Sequence, residues 1–159
     1  MGVSGAGKTV IGSRLASALG AEFVEGDSYH PPANIEKMAA GIPLTDEDRQ
    51  GWLHAIAGRI RRANDSGDTV VVSCSALKRA YRDIIRADAG QVRFIFLSGE
   101  RELISARLRG RKGHFMPPTL LDSQLSTLEE PSPDEDVWVV DINESPDQIV
   151  ASLLARASA

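Results

Sequence analysis

Near the start of the chain, Gly2-Val3-Ser4-Gly5-Ala6-Gly7-Lys8-Thr9 satisfies the pattern G-x-x-x-x-G-K-S/T in full. Each residue type has a task there. Glycines let the backbone curl so that successive N–H groups face inward and cradle phosphate oxygens. The Lys8 ammonium would neutralise the β- and γ-phosphates of ATP, and the Thr9 hydroxyl would coordinate Mg²⁺. A helix opening at Lys8 would turn its positive end toward the same anion. The bland alternative is a glycine turn ahead of an ordinary helix.

A phosphate loop does not by itself separate a kinase from a GTPase or a motor. No Asn-Lys-x-Asp guanine motif occurs, and 159 residues are too few for the added modules of large ATPases. Asp48-Arg49-Gln50-Gly51 matches Asp-x-x-Gly only formally, because it sits inside a helical pattern. Elimination leaves a small-molecule kinase, which needs an acid beside its acceptor hydroxyl. Asp27 follows Glu22-Phe23-Val24-Glu25-Gly26 at the carboxyl end of a strand, where ligands of parallel sheets collect. It could orient a hydroxyl, accept its proton and support the metal through water. A turn or capping aspartate is the other explanation. His30 is a candidate acceptor contact, set against the common structural role of a lone histidine. Ser73-Cys74-Ser75-Ala76-Leu77-Lys78 leaves a second strand end with hydroxyls and a lysine, which suits a polar anionic acceptor; an N-capping serine is the alternative. Arg107, Arg109, Arg111 and Lys112 form a cationic knot, either a solvated helix end or a grip on polyphosphate.

Strands and helices must bring these groups together. Short β-branched runs at Glu22–Glu25, Thr69–Cys74, Val92–Leu97 and Val137–Ile142 read as strands, the second and fourth as if covered on both faces. Helical periodicity spans Lys8–Leu19, Thr45–Asn64, Lys78–Ala87, Glu100–Gly110 and about Pro118–Leu128. A final helix starts at Ser145, with Pro146 in its first position and Gln148 completing a capping box. The alternation predicts a single α/β domain over residues 1–159, a three-layer α/β/α arrangement on a parallel sheet. A net charge of −4 without a basic stripe argues against nucleic acid, and no apolar run is long enough for a bilayer. One cysteine, Cys74, excludes an internal disulfide, offers zinc no partner and suits the cytoplasm. A phosphate loop ordinarily follows a buried strand, whereas Gly2 follows Met1 directly. A missing central strand would leave neighbouring backbone groups unpaired. The expectation is that the natural chain begins several residues upstream and that the first strand is truncated.

The run Gly26-Asp27-Ser28-Tyr29-His30-Pro31-Pro32-Ala33-Asn34-Ile35-Glu36-Lys37-Met38 resembles the signature segment of the bacterial-type gluconokinase family. Gly41-Ile42-Pro43-Leu44-Thr45-Asp46-Glu47-Asp48-Arg49 and Trp52-Leu53 continue it, followed by Cys74-Ser75-Ala76-Leu77-Lys78, Tyr81-Arg82-Asp83 and Arg111-Lys112-Gly113-His114-Phe115. These blocks run in family order over nearly the whole chain. The resemblance implies a fold like the shikimate and nucleoside monophosphate kinases: a five-stranded parallel sheet, a mobile lid over about 107–120, and a homodimer. The implied activity is ATP-dependent phosphorylation of D-gluconate to 6-phospho-D-gluconate. Asp27 becomes the acid at the acceptor hydroxyl, with Arg49, Lys78 and His114, beside His30, as grips for the carboxylate or polyol. Lid closure would deliver Arg111 to the moving phosphoryl group and leave Arg107 nearer the adenine. The loop entering the last helix would border the adenine at Pro146, although a first-turn proline has its own structural reason. No aspartate closes Thr69–Cys74, which leaves metal support to Thr9, water and Asp27. Another small-molecule kinase of this fold, or a nucleotide-binding regulatory protein without turnover, are the rival readings.

Overall fold

The computed structural model describes residues 1–111 and 118–159. α1 (Lys8–Leu19) leaves the phosphate loop and buries Ile11, Leu15 and Ala16. β1 (Glu22–Glu25) pairs in parallel with β2 (Val70–Ser73), Glu25 opposite Ser73. β3 (Ile95–Ser98) pairs in parallel with β4 (Trp138–Asp141), Ser98 opposite Asp141. The remaining helices are α2 (Pro32–Ala39), α3 (Asp46–Ser66), α4 (Arg79–Ala89), α5 (Arg101–Arg109), α6 (Pro118–Thr127) and α7 (Pro146–Ala157). Local chemistry starts two of them. Thr45 and Asp48 form a reciprocal capping box on α3, and Ser145 and Gln148 another on α7.

The strands lie between two cores, which gives the three layers. Val71 of β2 packs into one core with Ile11, Leu15, Ile149 and Leu153 of α1 and α7. Its neighbours Val70 and Val72 pack into the other with Trp52, Ile56 and Ile85 of α3 and α4. This is the period of two that a strand imposes. The four described strands form two separate parallel pairs rather than the five-stranded sheet that the resemblance implies. Met1 and Gly2 stand between the pairs: Leu97 N–H donates to Met1 C=O at 3.0 Å and Gly2 N–H to Ser75 C=O at 3.1 Å. The phosphate loop therefore emerges where the carboxyl ends of β2 and β3 meet. An apolar cavity of about 590 Å³ also lies between the pairs, lined by Val71, Val72, Ile95 and Leu153 among others.

Other differences have local causes. Residues 92–94 precede β3 instead of opening it, and β4 has one uncovered side, since Val139 is 50% exposed. α2 has no counterpart in the sequence reading. Pro32 at its first position presets the helical φ, but Asn34 is its one buried residue, so the apolar stripe that marks a helix is missing.

Candidate active site

The loop holds a shape that side chains would block. Gly5 and Gly7 have φ of 83° and 99°, and a Cβ on Gly5 would stand 2.8 Å from Leu108 Cγ. No side chain caps the start of α1, so its first amides stay available to an anion. Lys8 is turned back over the loop, its Nζ donating to Val3 C=O at 2.9 Å. Burial pushes the Lys8 pKa down and the positive charge of Arg111 adds to this; Asp27, Cys74 and Glu25 oppose it. A half-buried ammonium with one carbonyl partner has donors left for phosphate oxygens.

The Thr9 hydroxyl donates to Glu25 Oε2 at 2.7 Å. The Ser73 hydroxyl bonds the other carboxylate oxygen of Glu25 and accepts from Gly26 N–H at 3.2 Å. Sequence reasoning missed Glu25, although an acid two residues before Asp27 at a strand end was a usable signal. Hydroxyl and carboxylate oxygens side by side are the hard donors that Mg²⁺ takes, so this pair fits the ion.

β1 ends against β2 at very close range. A Cβ on Gly26 would lie 2.0 Å from Ser73 O, so only glycine permits the approach. The 3-10 turn Gly26–Tyr29 starts there and carries Asp27, and Trp52 Nε1 donates to Gly26 C=O at 2.8 Å, which pins the turn to α3. His30 is buried and stacks on Trp52 with ring centroids 4.2 Å apart. Asn34 Nδ2 donates to Asp48 C=O at 2.7 Å and lies 3.3 Å from His30 Nδ1. A carbonyl partner fixes the amide nitrogen on this side, so Nδ1 accepts and the ring proton sits on Nε2. That Nε2 is 4.0 Å from Asp27 Oδ1. Burial pushes the His30 pKa down; Asp27 opposes this and Arg49 adds to it, which favours the neutral ring.

Lys8, Asp27, His30 and Arg49 line one small cavity together with Ser4, Ser75, Ser123 and Gln124. Its volume of about 50 Å³ is below the roughly 300–1,000 Å³ of small-molecule sites, so a ligand must part its walls. Arg49 Nε is buried and has no hydrogen-bond partner among the described residues. An orphaned guanidinium donor is costly unless a ligand completes it. Lys78 is not brought into this cavity: its Nζ is held by Asp46 at 2.8 and 3.1 Å. The cationic knot divides. Arg107 turns inward, Nη2 donating to Ile142 C=O at 2.7 Å, whereas Arg111 is exposed just past the end of α5. Arg109 bonds Ser105 on its own helix at 3.0 Å. Pro146 occupies the first position of α7 behind Ser145, as its capping role requires. Lys112 and His114 lie outside the described residues.

Comparisons with known proteins agree with this geometry. A family model described as shikimate kinase matches residues 4–158. The thermosensitive gluconokinase of Escherichia coli (strain K12) is 49% identical over 144 residues, 90% of this chain and 77% of that protein. The unliganded structure of a sugar kinase from Janibacter sp. HTCC2649 has a TM-score of 0.93 at 47% identity, covering 98% of this chain and 90% of the other. A gluconokinase structure from Sinorhizobium meliloti 1021 has a TM-score of 0.87 at 49% identity, covering 98% and 87%.

Proposed function

We infer that this chain, which belongs to the gluconokinase family of P-loop kinases, transfers the γ-phosphoryl group of ATP to D-gluconate, giving 6-phospho-D-gluconate and ADP. One observation carries the reading: the phosphate-loop Lys8 and the acid Asp27 line the same cavity, beside a buried Arg49 Nε that lacks an acceptor. A kinase for an anionic alcohol needs those three groups in one place.

On this reading the loop Gly2–Thr9 wraps the phosphates of ATP and holds them through Lys8 and those amides not bonded within the protein, as the Gly2 and Ser4 amides are. Thr9 and Glu25 would hold Mg²⁺, with Asp27 supporting it through water, and the ion would neutralise phosphate charge. Asp27 takes the proton of the acceptor hydroxyl as that oxygen bonds to the γ-phosphorus. The bond from the γ-phosphorus to the bridging oxygen breaks, and its electron pair leaves with ADP. Arg49 grips the gluconate carboxylate through its orphaned Nε. His30, with its proton on Nε2 4.0 Å from Asp27 Oδ1, offers a donor to the acceptor beside that carboxylate. Lys78 acts indirectly, holding through Asp46 the first turn of the helix that carries Arg49. Arg111 stabilises charge on the moving phosphoryl group, Arg107 and the loop at Pro146 border the base, and residues 107–120 close as a lid over a single kinase domain. His114 remains a proposed grip on the polyol from the family resemblance. The homodimer and a cytoplasmic setting belong to the same reading, on the resemblance and the lone cysteine; light scattering reads the first.

The test is ADP release over a panel of sugar acids, sugars, shikimate and nucleoside monophosphates. Gluconate should be preferred; a preference for shikimate or a nucleotide overturns the substrate assignment. Asp27→Asn should lower kcat by about 100-fold or more while the KM for ATP stays put. Equal losses in both would make Asp27 structural.

A further inference from the structure

Gln124 of α6 lies 120 positions from Ser4 in sequence, yet its Oε1 accepts the Ser4 backbone N–H at 2.7 Å. A backbone N–H can only donate, so the carboxamide oxygen is the atom facing the loop. The planar amide then turns its NH₂, with two donors, away from that contact. No hydrogen bond from Gln124 Nε2 occurs among the described residues, and Gln124 lines the cavity that holds Lys8, Asp27, His30 and Arg49.

Resting on the gluconokinase reading above, we propose that Gln124 is an acceptor-binding residue: its Nε2 donates to a hydroxyl oxygen of gluconate while its Oε1 keeps the phosphate loop in register. Chemistry explains the residue type. A glutamate here would bring a negative charge to a site that takes ATP and a sugar acid, both anionic. An apolar residue would leave the Ser4 N–H without this partner and the polyol without a donor. The neutral amide serves both sides. It also gives one side chain contact with phosphate donor and acceptor, so α6 senses both halves of the site.

Gln124→Glu separates the two contacts, because it keeps the shape and an oxygen for Ser4 N–H while replacing the donor NH₂. Wild-type turnover of gluconate is measured first; if there is none, the functional reading fails and this inference falls with it. Where wild type turns over, Gln124→Glu should raise the KM for gluconate about tenfold or more, and the KM for ATP, which the added charge also touches, by a clearly smaller factor. Gln124→Met, which lacks both polar atoms, should raise both constants. Monodeoxygluconates then identify the contact, since removing the hydroxyl that Gln124 reads weakens wild type and leaves Gln124→Glu nearly unaffected. An unchanged gluconate KM in Gln124→Glu overturns the proposal while leaving gluconokinase activity intact. So does the same loss for every deoxy compound in both proteins, or an ATP KM that rises in step. Thermal melts of each variant separate these outcomes from a failure to fold.

Discussion

Replacing Arg82 by methionine removes a guanidinium that is 0% exposed and strands the Glu135 carboxylate, itself 2% exposed. Arg82 Nε and Nη2 reach the two oxygens of Glu135 at 2.6 and 2.7 Å, and Nη1 serves the carbonyls of Ala76, Leu77 and Glu129. Desolvation offsets most of the attraction in such a pair, but deleting one partner leaves a buried charge, at a cost of about 3–5 kcal/mol. A second route reaches the same size. The Arg82 hydrogen bonds hold the Glu135 carboxyl down at about 2 against an ordinary 4.5. At about 1.4 kcal/mol per unit, that depression amounts to about 3.5 kcal/mol, to which the Ser132 and Arg86 hydrogen bonds also contribute. The sign follows from linkage: this stabilisation is complete above the unfolded value of 4.5 and is lost as pH falls through about 2. In the variant the stranded carboxylate takes up a proton more readily than the unfolded chain does, so acidification restores stability. Arg86, whose Nη1 is 3.5 Å from Glu135 Oε2, softens the loss without abolishing it. Urea unfolding followed by circular dichroism should show a deficit of about 3 kcal/mol near pH 7.5 that shrinks toward about pH 4.5. A deficit under about 1 kcal/mol, or one that does not move with pH, refutes the buried-charge reasoning.

Glu25→Gln keeps an oxygen for the Thr9 hydroxyl but loses the charge, so half-maximal activity should need about tenfold more Mg²⁺. An unchanged Mg²⁺ dependence would limit Glu25 to tying β1 to β2. Burial pushes the Cys74 thiol up to about 11, and the side chain is only 6% exposed. Ellman's reagent near neutral pH should therefore leave the native thiol untouched and label it fully in urea; rapid native labelling contradicts this.

Legibility in the sequence tracked the distance over which each feature is determined. The phosphate loop and the caps of α3 and α7 are set by residues within one turn of each other, so spacing revealed them. α1 and β1 keep their expected bounds. α2 was invisible because its buried residue is a polar Asn34, whose value lies in contacts to His30 and Asp48. Lys78 looked available at a strand exit, but Asp46 from another helix captures it. The knot read as one unit, although helical geometry sends Arg107 and Arg109 to different partners. Gln124 gave no local signal at all, since its partner is Ser4 across the whole chain.

The two halves of the site rest on different cores. The phosphate loop and α1 are seated with α5 and α7 through Val3, Ile11, Ile104 and Leu153. The acceptor side hangs from α3 and α4 through Trp52 and Tyr81. Among the features that fix one half against the other are the β1–β2 register that sets Glu25 opposite Ser73, and the missing side chain of Gly26. Glu25 meets Thr9 of the donor half, and two residues later Asp27 faces the acceptor cavity. A displacement of about 1 Å between reacting groups can cost about 100-fold in rate. Substitutions at that seam, far smaller than any loss of a catalytic group, should therefore lower kcat while leaving the affinity for ATP, which the other core governs, nearly intact.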